Sequence, residues 1–318
     1  MNFIPVLSNQ QQATPIHELH ETLQGNRFYM KREDLIPFSF GGNKARKAKF
    51  FYADMLQKKP DVVVTYGSGS SNHCRIIANM ASAMGISCHI ISPKDHYEET
   101  MNSRMTELFG ATIEICPVEQ VSQTIDACLE RLRGEGKNPY FIQGGGHGNL
   151  GTAAYVEAYE EILNYEQKTG TKFDYIFFAS GTGTTQAGLV CGQLLARRED
   201  QQIVGISIAR TKERGYEVIS DSIREYFEQY EANMPMDFEE HLIFTDAYRK
   251  DGYGNYDTQV TDTINQVLRQ EGIPMDTTYV GKAFCGMQTY IRDNGIKDSN
   301  VLFIHTGGTP LFFDRVQQ

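Results

Sequence analysis

Three glycine-rich turns in this chain stand between an apolar run and a helical pattern. There, a phosphate or other anion meets converging backbone N–H groups and the positive end of a helix dipole. The best formed is ASGTGTTQAG, Ala179 to Gly188. Gly181 and Gly183 let the backbone close on a ligand, and Thr182, Thr184 and Thr185 add hydroxyls where the helix begins. A strand-to-helix turn with no ligand would also use Gly and Thr. The second feature is Lys44 in FSFGGNKARK, which follows Gly41 and Gly42 after one intervening residue. A lysine desolvated at a constricted helix start, with other cations beside it, gives up its proton more readily and becomes a nucleophilic amine. Taken singly, lysines in a run such as KARKAK form a solvated face.

Nucleotide sites are the competing chemistry. A Walker A loop needs GxxxxGK followed by Ser or Thr, and the two GK pairs read Gly136-Lys137-Asn138 and Gly281-Lys282-Ala283. That excludes a P-loop ATPase. A dinucleotide fingerprint is formally present as GHGNLG, Gly146 to Gly151. Its confirming acid should end the next strand, whereas Asp174 stands before FDYIFFA. An NAD-dependent oxidoreductase is the runner-up enzyme class.

Composition narrows the remaining classes. At 318 residues and 40% hydrophobic content, the chain has length for two lobes and ample material for a core. A net charge of −10 argues against nucleic acid or an anionic membrane as partner. The local cluster Lys31, Arg32, Lys44, Arg46, Lys47 and Lys49 is the exception that needs a reason. No apolar run reaches the ~20 residues of a membrane helix, and the start lacks the basic-then-apolar order of a secretory signal, so the expectation is a cytoplasmic protein. Six scattered cysteines without a CxxC pair point to core thiols rather than a metal or redox site.

The elements that must position these turns repeat one theme: a short β-branched run, a glycine turn, then helical spacing. DVVVTYGSGSSN leads into HCRIIANMASAMG, NPYFIQGGGHGNLG into TAAYVEAYEEILNY, and FDYIFFASGTGT into TQAGLVCGQLLARR. With SCHIIS, ATIEIC, IVGISIA and NVLFIH they make about seven strands of an α/β fold with parallel sheets. The charged stretch from about Thr211 to Asp257 is expected on the outside of the second sheet.

The ordered set TPIHEL, KREDL, FGGNKARK, GSGSSNHCR, SGTGTTQAGL, YVGKAFCGM and HTGG resembles the D-cysteine desulfhydrase and 1-aminocyclopropane-1-carboxylate (ACC) deaminase family. These are pyridoxal-5'-phosphate (PLP) enzymes of fold type II, the tryptophan-synthase-β fold, and the match runs from about Thr14 to Asp314. The resemblance implies two parallel-sheet α/β lobes with PLP in the cleft. The large lobe would be residues 1–47 and 156–318, and the small inserted lobe residues 48–155. It implies a Schiff base on Lys44, whose amine also moves protons at the substrate carbons. Asn72 would face the cofactor's phenolic oxygen. Ser71 would hold the substrate carboxylate or assist proton transfer, although either residue could also be a helix cap. Thr182, Gly183, Thr184 and Thr185 would bind the phosphate, and Tyr253 and Tyr279 would act beside the reacting carbons.

Departures from the family pattern bear on the reaction. ACC deaminases have YEGK where this chain has Tyr279-Val280-Gly281-Lys282, so the pyridine nitrogen would face a hydroxyl, Thr306 of HTGG, and not a carboxylate. His73 replaces their glutamine beside the substrate pocket, and its protonation would matter near pH 7. The resemblance therefore implies a homodimeric lyase for α,β-elimination of a small β-substituted amino acid, D-cysteine above all, giving pyruvate, ammonia and hydrogen sulfide. Alternatives are ACC deamination, a lyase of a related substrate such as cysteate, and a non-catalytic PLP-binding protein.

Overall fold

The computed structural model describes residues 2–8, 13–94 and 99–316. A short helix α1 (Pro5–Ser8) is followed by the hairpin β1 (Ile16–Leu23) and β2 (Asn26–Arg32), then α2 (Asn43–Lys58). Four βα steps come next: β3 (Val62–Tyr66), α3 (Asn72–Met84), β4 (Ser87–Pro93), α4 (Met101–Leu108), β5 (Thr112–Cys116), α5 (Val121–Gly134), β6 (Pro139–Phe141) and α6 (Asn149–Thr169). The chain continues through β7 (Tyr175–Ser180), α7 (Thr184–Leu195), β8 (Gln202–Ser207), α8 (Lys212–Gln229) and β9 (Ile243–Thr245). It closes with α9 (Thr258–Glu271), α10 (Val280–Asp293), β10 (Asn300–His305) and α11 (Thr309–Val316).

Two sheets result. The four-stranded one, in order β5-β4-β3-β6, is parallel throughout. The six-stranded one runs β1-β2-β10-β7-β8-β9, parallel except for the antiparallel β1–β2 pair. Both are covered on two faces, which is why their central strands are continuous apolar runs such as Val62–Val64 and Ile176–Phe178. One face of the larger sheet packs Tyr155, Tyr159, Leu189, Ile219 and Ile223 from α6, α7 and α8. The other packs Val260, Ile264, Phe284 and Met287 from α9 and α10. The smaller sheet is held between α2 and α3 on one side and α5 on the other.

All seven expected strands form, and three more join them. The β1–β2 hairpin turns at Gln24 and Gly25, both with positive φ, the geometry of a two-residue hairpin loop. The stretch 211–257 is not merely an outer covering. Its helix α8 buries Ile219, Ile223 and Phe227 in the core, and β9 extends the large sheet at its edge. Nor is KARKAK a solvated face. Arg46 is fully buried with ion pairs to Glu33 and Glu161, Lys31 joins the same pair of carboxylates, and Lys47 is buried as well.

Candidate active site

The C-terminal ends of both sheets' strands open onto one cavity of about 720 Å³, the position where parallel α/β sheets bind ligands. From the smaller sheet it is lined by the turns after β3 and β6, including Ser68, Ser71, Asn72, His73, Gly144 and Gly145. The larger sheet contributes the turns after β7, β8 and β10, with Thr182, Gly183, Thr185, Arg210 and Thr306. Lys44 lies in the first turn of α2 and also reaches this cavity. Gly42, at φ 96°, brings that turn so close to the loop after β10 that a Cβ there would sit 2.7 Å from the Thr306 carbonyl oxygen.

Lys44 Nζ donates to the Gly145 carbonyl at 2.8 Å and has no carboxylate in ion-pair reach among the described residues. Burial lowers its ammonium to about 8. One turn on, Lys47 is fully buried, donates to Thr184 Oγ1 at 2.6 Å and again lacks a carboxylate among the described residues. Burial, and then the charge of Lys44, push it well below an ordinary lysine. Beside them α7 starts at Thr184 behind Gly183, at φ 103°, with no side-chain cap and no acid in its first turn. A half-buried and a fully buried cation with an uncapped helix start, all without a counter-charge among the described residues, make a setting that fits a phosphate group. Thr182 and Thr185 face the cavity, and Asn43 Nδ2 donates to Thr185 Oγ1 at 3.2 Å. Thr184 differs from expectation: its hydroxyl points inward to Lys47, which leaves its backbone N–H as the group available to an anion.

On the facing wall Ser71 caps α3, its Oγ accepting from Cys74 N at 3.2 Å, and still borders the cavity. Asn72 Oδ1 accepts from Asn102 Nδ2 at 2.9 Å and from Arg75 at 3.4 Å. His73 lines the cavity, but its Nε2 is 2.8 Å from Thr65 Oγ1. Thr65 donates its proton to the Ile142 carbonyl at 2.7 Å, so the ring nitrogen donates to Thr65. Burial, then Lys44 and Lys47, hold His73 well below the usual histidine range. A charge switch near pH 7 at this residue, expected from its type, is therefore replaced by a neutral ring.

Tyr253 and Tyr279 meet across the cavity with their phenol oxygens in hydrogen-bond contact. Tyr253 also lies 3.1 Å from Ser68 Oγ and 2.9 Å from Ser70 Oγ, so it bridges the two walls. Tyr279 is pushed well above an ordinary phenol, by burial first and Tyr253 second, and stays protonated. Val280 beside it is fully buried among apolar side chains. Asp276, the carboxylate behind this wall, accepts from the N–H groups of Thr278, Tyr279 and Val280. A Cβ on Gly308 would lie 2.4 Å from it.

The structure thus gathers Lys44, Ser71, Asn72, His73, Thr182, Gly183, Thr185, Tyr253, Tyr279 and Thr306 around one cavity and turns the Thr184 side chain away. Sequence reasoning missed Lys47, whose signal was its place one helical turn after Lys44. It also missed Lys282, whose ammonium donates to the carbonyls of Ile208, Arg249 and Gly252 and so ties two cavity loops together. Of the GHGNLG glycines, Gly151 serves packing, since a Cβ there would lie 2.0 Å from the Gly146 carbonyl oxygen, whereas Gly148 has open space around it and serves the turn through its φ of 105°.

Comparison with known proteins agrees with this geometry. Residues 7–307 match the family model described as pyridoxal-phosphate dependent enzyme. A D-cysteine desulfhydrase of Serratia proteamaculans is 33% identical over 315 residues, covering 95% of this chain and 93% of that protein. A putative 1-aminocyclopropane-1-carboxylate deaminase of Pyrococcus abyssi is 32% identical over 307 residues, covering 94% and 90%. The solved structure of an ACC deaminase homologue superposes with a TM-score of 0.85 at 29% identity, covering 99% of this chain and 98% of that one.

Proposed function

This chain belongs to the pyridoxal-phosphate dependent enzymes, in the lyase family of the D-cysteine desulfhydrases and ACC deaminases, and from that premise we propose that it converts D-cysteine and water to pyruvate, ammonia and hydrogen sulfide. Lys44 is the amine that would hold the cofactor aldehyde, and the uncapped start of α7 with Thr182, Thr185 and Lys47 would hold its phosphate. Asn72 would donate to its phenolic oxygen and Thr306 would face its ring nitrogen. Bound there, the cofactor supplies an electron sink for the pair left at the substrate's Cα.

The protein's own groups do the rest. Ser71 and the start of α3 orient the substrate carboxylate. Lys44, already low enough in basicity to cycle near neutral pH, takes the Cα proton. The protonated Tyr279 phenol, held by Tyr253, stands ready to give a proton to the departing sulfur as the Cβ–S bond breaks. Tyr253, contacting Ser68 and Ser70, closes the cavity over the reacting atoms and keeps water from the carbanion.

The observation that carries the choice of elimination over ring opening is Val280. Its buried apolar side chain, with Asp276 spent on backbone N–H groups, leaves Thr306 as the partner for the ring nitrogen. A hydroxyl does not hold that nitrogen protonated as a carboxylate does, and a weaker sink suffices when a thiolate leaves promptly. A second reading, loss of sulfite from cysteate, is favoured by Arg210, a cavity guanidinium with no carboxylate in ion-pair reach among the described residues. The test is a product assay over D-cysteine, L-cysteine, cysteate and ACC. Sulfide with pyruvate from D-cysteine supports the proposal. Sulfite from cysteate supports the second reading, and 2-oxobutyrate from ACC with none from D-cysteine overturns both.

A further inference from the structure

Behind the cavity wall, Arg75 is fully buried and has no carboxylate in ion-pair reach among the described residues. Its guanidinium is satisfied instead by neutral acceptors that lead to two parts of the active site. Nε donates to Asn102 Oδ1 at 2.8 Å and NH2 to Asn72 Oδ1 at 3.4 Å. NH1 donates to the carbonyl of Ser39 and, at 2.9 Å, to its hydroxyl. Ser39 opens four consecutive residues with positive φ: Ser39 at 47°, Phe40 at 61°, Gly41 at 65° and Gly42 at 96°. Two of them carry side chains in a region that disfavours them, and this run ends at Gly42, two residues before Lys44. One buried cation therefore pins the approach to the reactive lysine and also touches the side chain of Asn72.

Asn102 completes the arrangement. It is fully buried, and its Nδ2 donates to Asn72 Oδ1 at 2.9 Å and to the Ser70 carbonyl at 2.9 Å. Two donors thus converge on a single oxygen of Asn72. The flipped amide would set N–H against N–H, so Oδ1 stays on this side and Nδ2 is left as the donor toward the cavity. We infer that Arg75, acting through Asn102 and Asn72, is a positioning residue that fixes the Asn72 amide as a hydrogen-bond donor to the cofactor's phenolic oxygen and lends that oxygen's ionised form an uncompensated positive charge. The inference rests on the proposed place of Asn72 beside that oxygen. Its chemistry follows from burial: a cation in a low-dielectric surrounding with no counter-ion acts on the nearest polarisable acceptor, one amide away.

The decisive variant is Asn102→Asp in the PLP-loaded enzyme. Its carboxylate keeps the bond from Arg75 and gains an ion pair, so the fold is retained. It also neutralises the charge and sets an oxygen against Asn72 Oδ1 and the Ser70 carbonyl, which turns the Asn72 amide around. The expected result is bound PLP at wild-type stoichiometry, a retained cooperative thermal transition, a visible absorption band displaced or weakened at fixed pH, and turnover reduced by roughly tenfold or more. Arg75→Met is expected to move the band in the same sense, with Arg75→Lys recovering part of the change because it keeps the charge. Should Arg75→Met fail to fold, the Asn102→Asp spectrum alone decides. Wild-type absorption and turnover in Asn102→Asp would overturn the inference. A visible band that survives Lys44→Ala would instead overturn the cofactor placement on which it rests, so the two failures are told apart.

Discussion

The ammonium of Lys44 donates to the carbonyl of Gly145 at 2.8 Å, so a helix that leaves the loop of one sheet rests its amine against the turn that ends a strand of the other. The amine is desolvated and waits with no acid beside it. Everything proposed for the site follows from that placement.

The first consequence is a pH dependence. Burial brings Lys44 to about 8, so at pH 7 roughly a tenth of the apoprotein carries the free amine. The rate of PLP uptake by apoprotein should rise through pH 7 to 8 and level off above it. An ordinary lysine would keep gaining rate to beyond pH 10. The sign for stability is also fixed: with the folded pKa below the unfolded one, the unfolded chain binds more protons between about 8 and 10.5, so this group makes the apoprotein more stable as pH rises through that window. Stopped-flow reconstitution and thermal melts across pH measure both.

Lys47 should act on affinity and not on chemistry. If its ammonium turns from Thr184 to the phosphate when PLP binds, replacing it with methionine would remove one charged hydrogen bond, worth roughly 2 kcal/mol, or about a thirtyfold weaker hold on PLP. The same change removes an unpaired buried ammonium, so the apoprotein should not lose thermal stability. Equilibrium dialysis against PLP and a melt of the apoprotein test the pair of outcomes.

Tyr279→Phe should leave the visible band of bound PLP in place and lower kcat by on the order of a hundredfold, the usual size of one proton-transfer contribution. The volume is conserved and the ring stays packed against Tyr253, so KM should change little. Steady-state kinetics with D-cysteine separates the two constants.

Glu33 anchors the loop before Lys44. It accepts from Thr14 and Arg46, and its own carbonyl accepts from Gly42 N. Burial would raise its carboxyl, but Arg46 and Lys31 outweigh burial and hold it at about 2. The stability it brings is complete above about 4.5 and is lost as pH falls toward 2. Glu33→Gln leaves buried cations short of a partner and should cost roughly 3–5 kcal/mol at neutral pH, with a flatter loss on acidification. Urea unfolding at several pH values measures both.

What could be read from the sequence was whatever has a strong local pattern. The central parallel strands were legible because both faces are buried, as Val62–Val64 and Phe177–Phe178 show, and the edge strand β5, largely exposed, was legible only through its β-branched run. The β1–β2 hairpin was not, because β1 is an edge strand that mixes charged and apolar residues, the apolar run of β2 is only Phe28–Met30 between charged residues, and the turn is Gln24-Gly25 and not the stronger Asn-Gly. β9 has three residues, too few for any period. Lys44 was legible through its motif. Lys47, Arg75 and Lys282 were not, since a lysine or arginine in a helix reads as surface and each is buried only because the tertiary fold brings carbonyls, amides or a hydroxyl to it. His73 shows the same limit: its type promises titration near neutrality, and only Thr65 and the enclosing core reveal a neutral ring.

The most direct measurement is the absorption spectrum of purified Lys44→Ala after incubation with PLP and gel filtration, read together with keto-acid release. The account predicts no visible band from bound cofactor and no turnover of any amino acid, while the far-ultraviolet circular dichroism stays that of the folded chain. A variant that keeps both the band and the activity would contradict it.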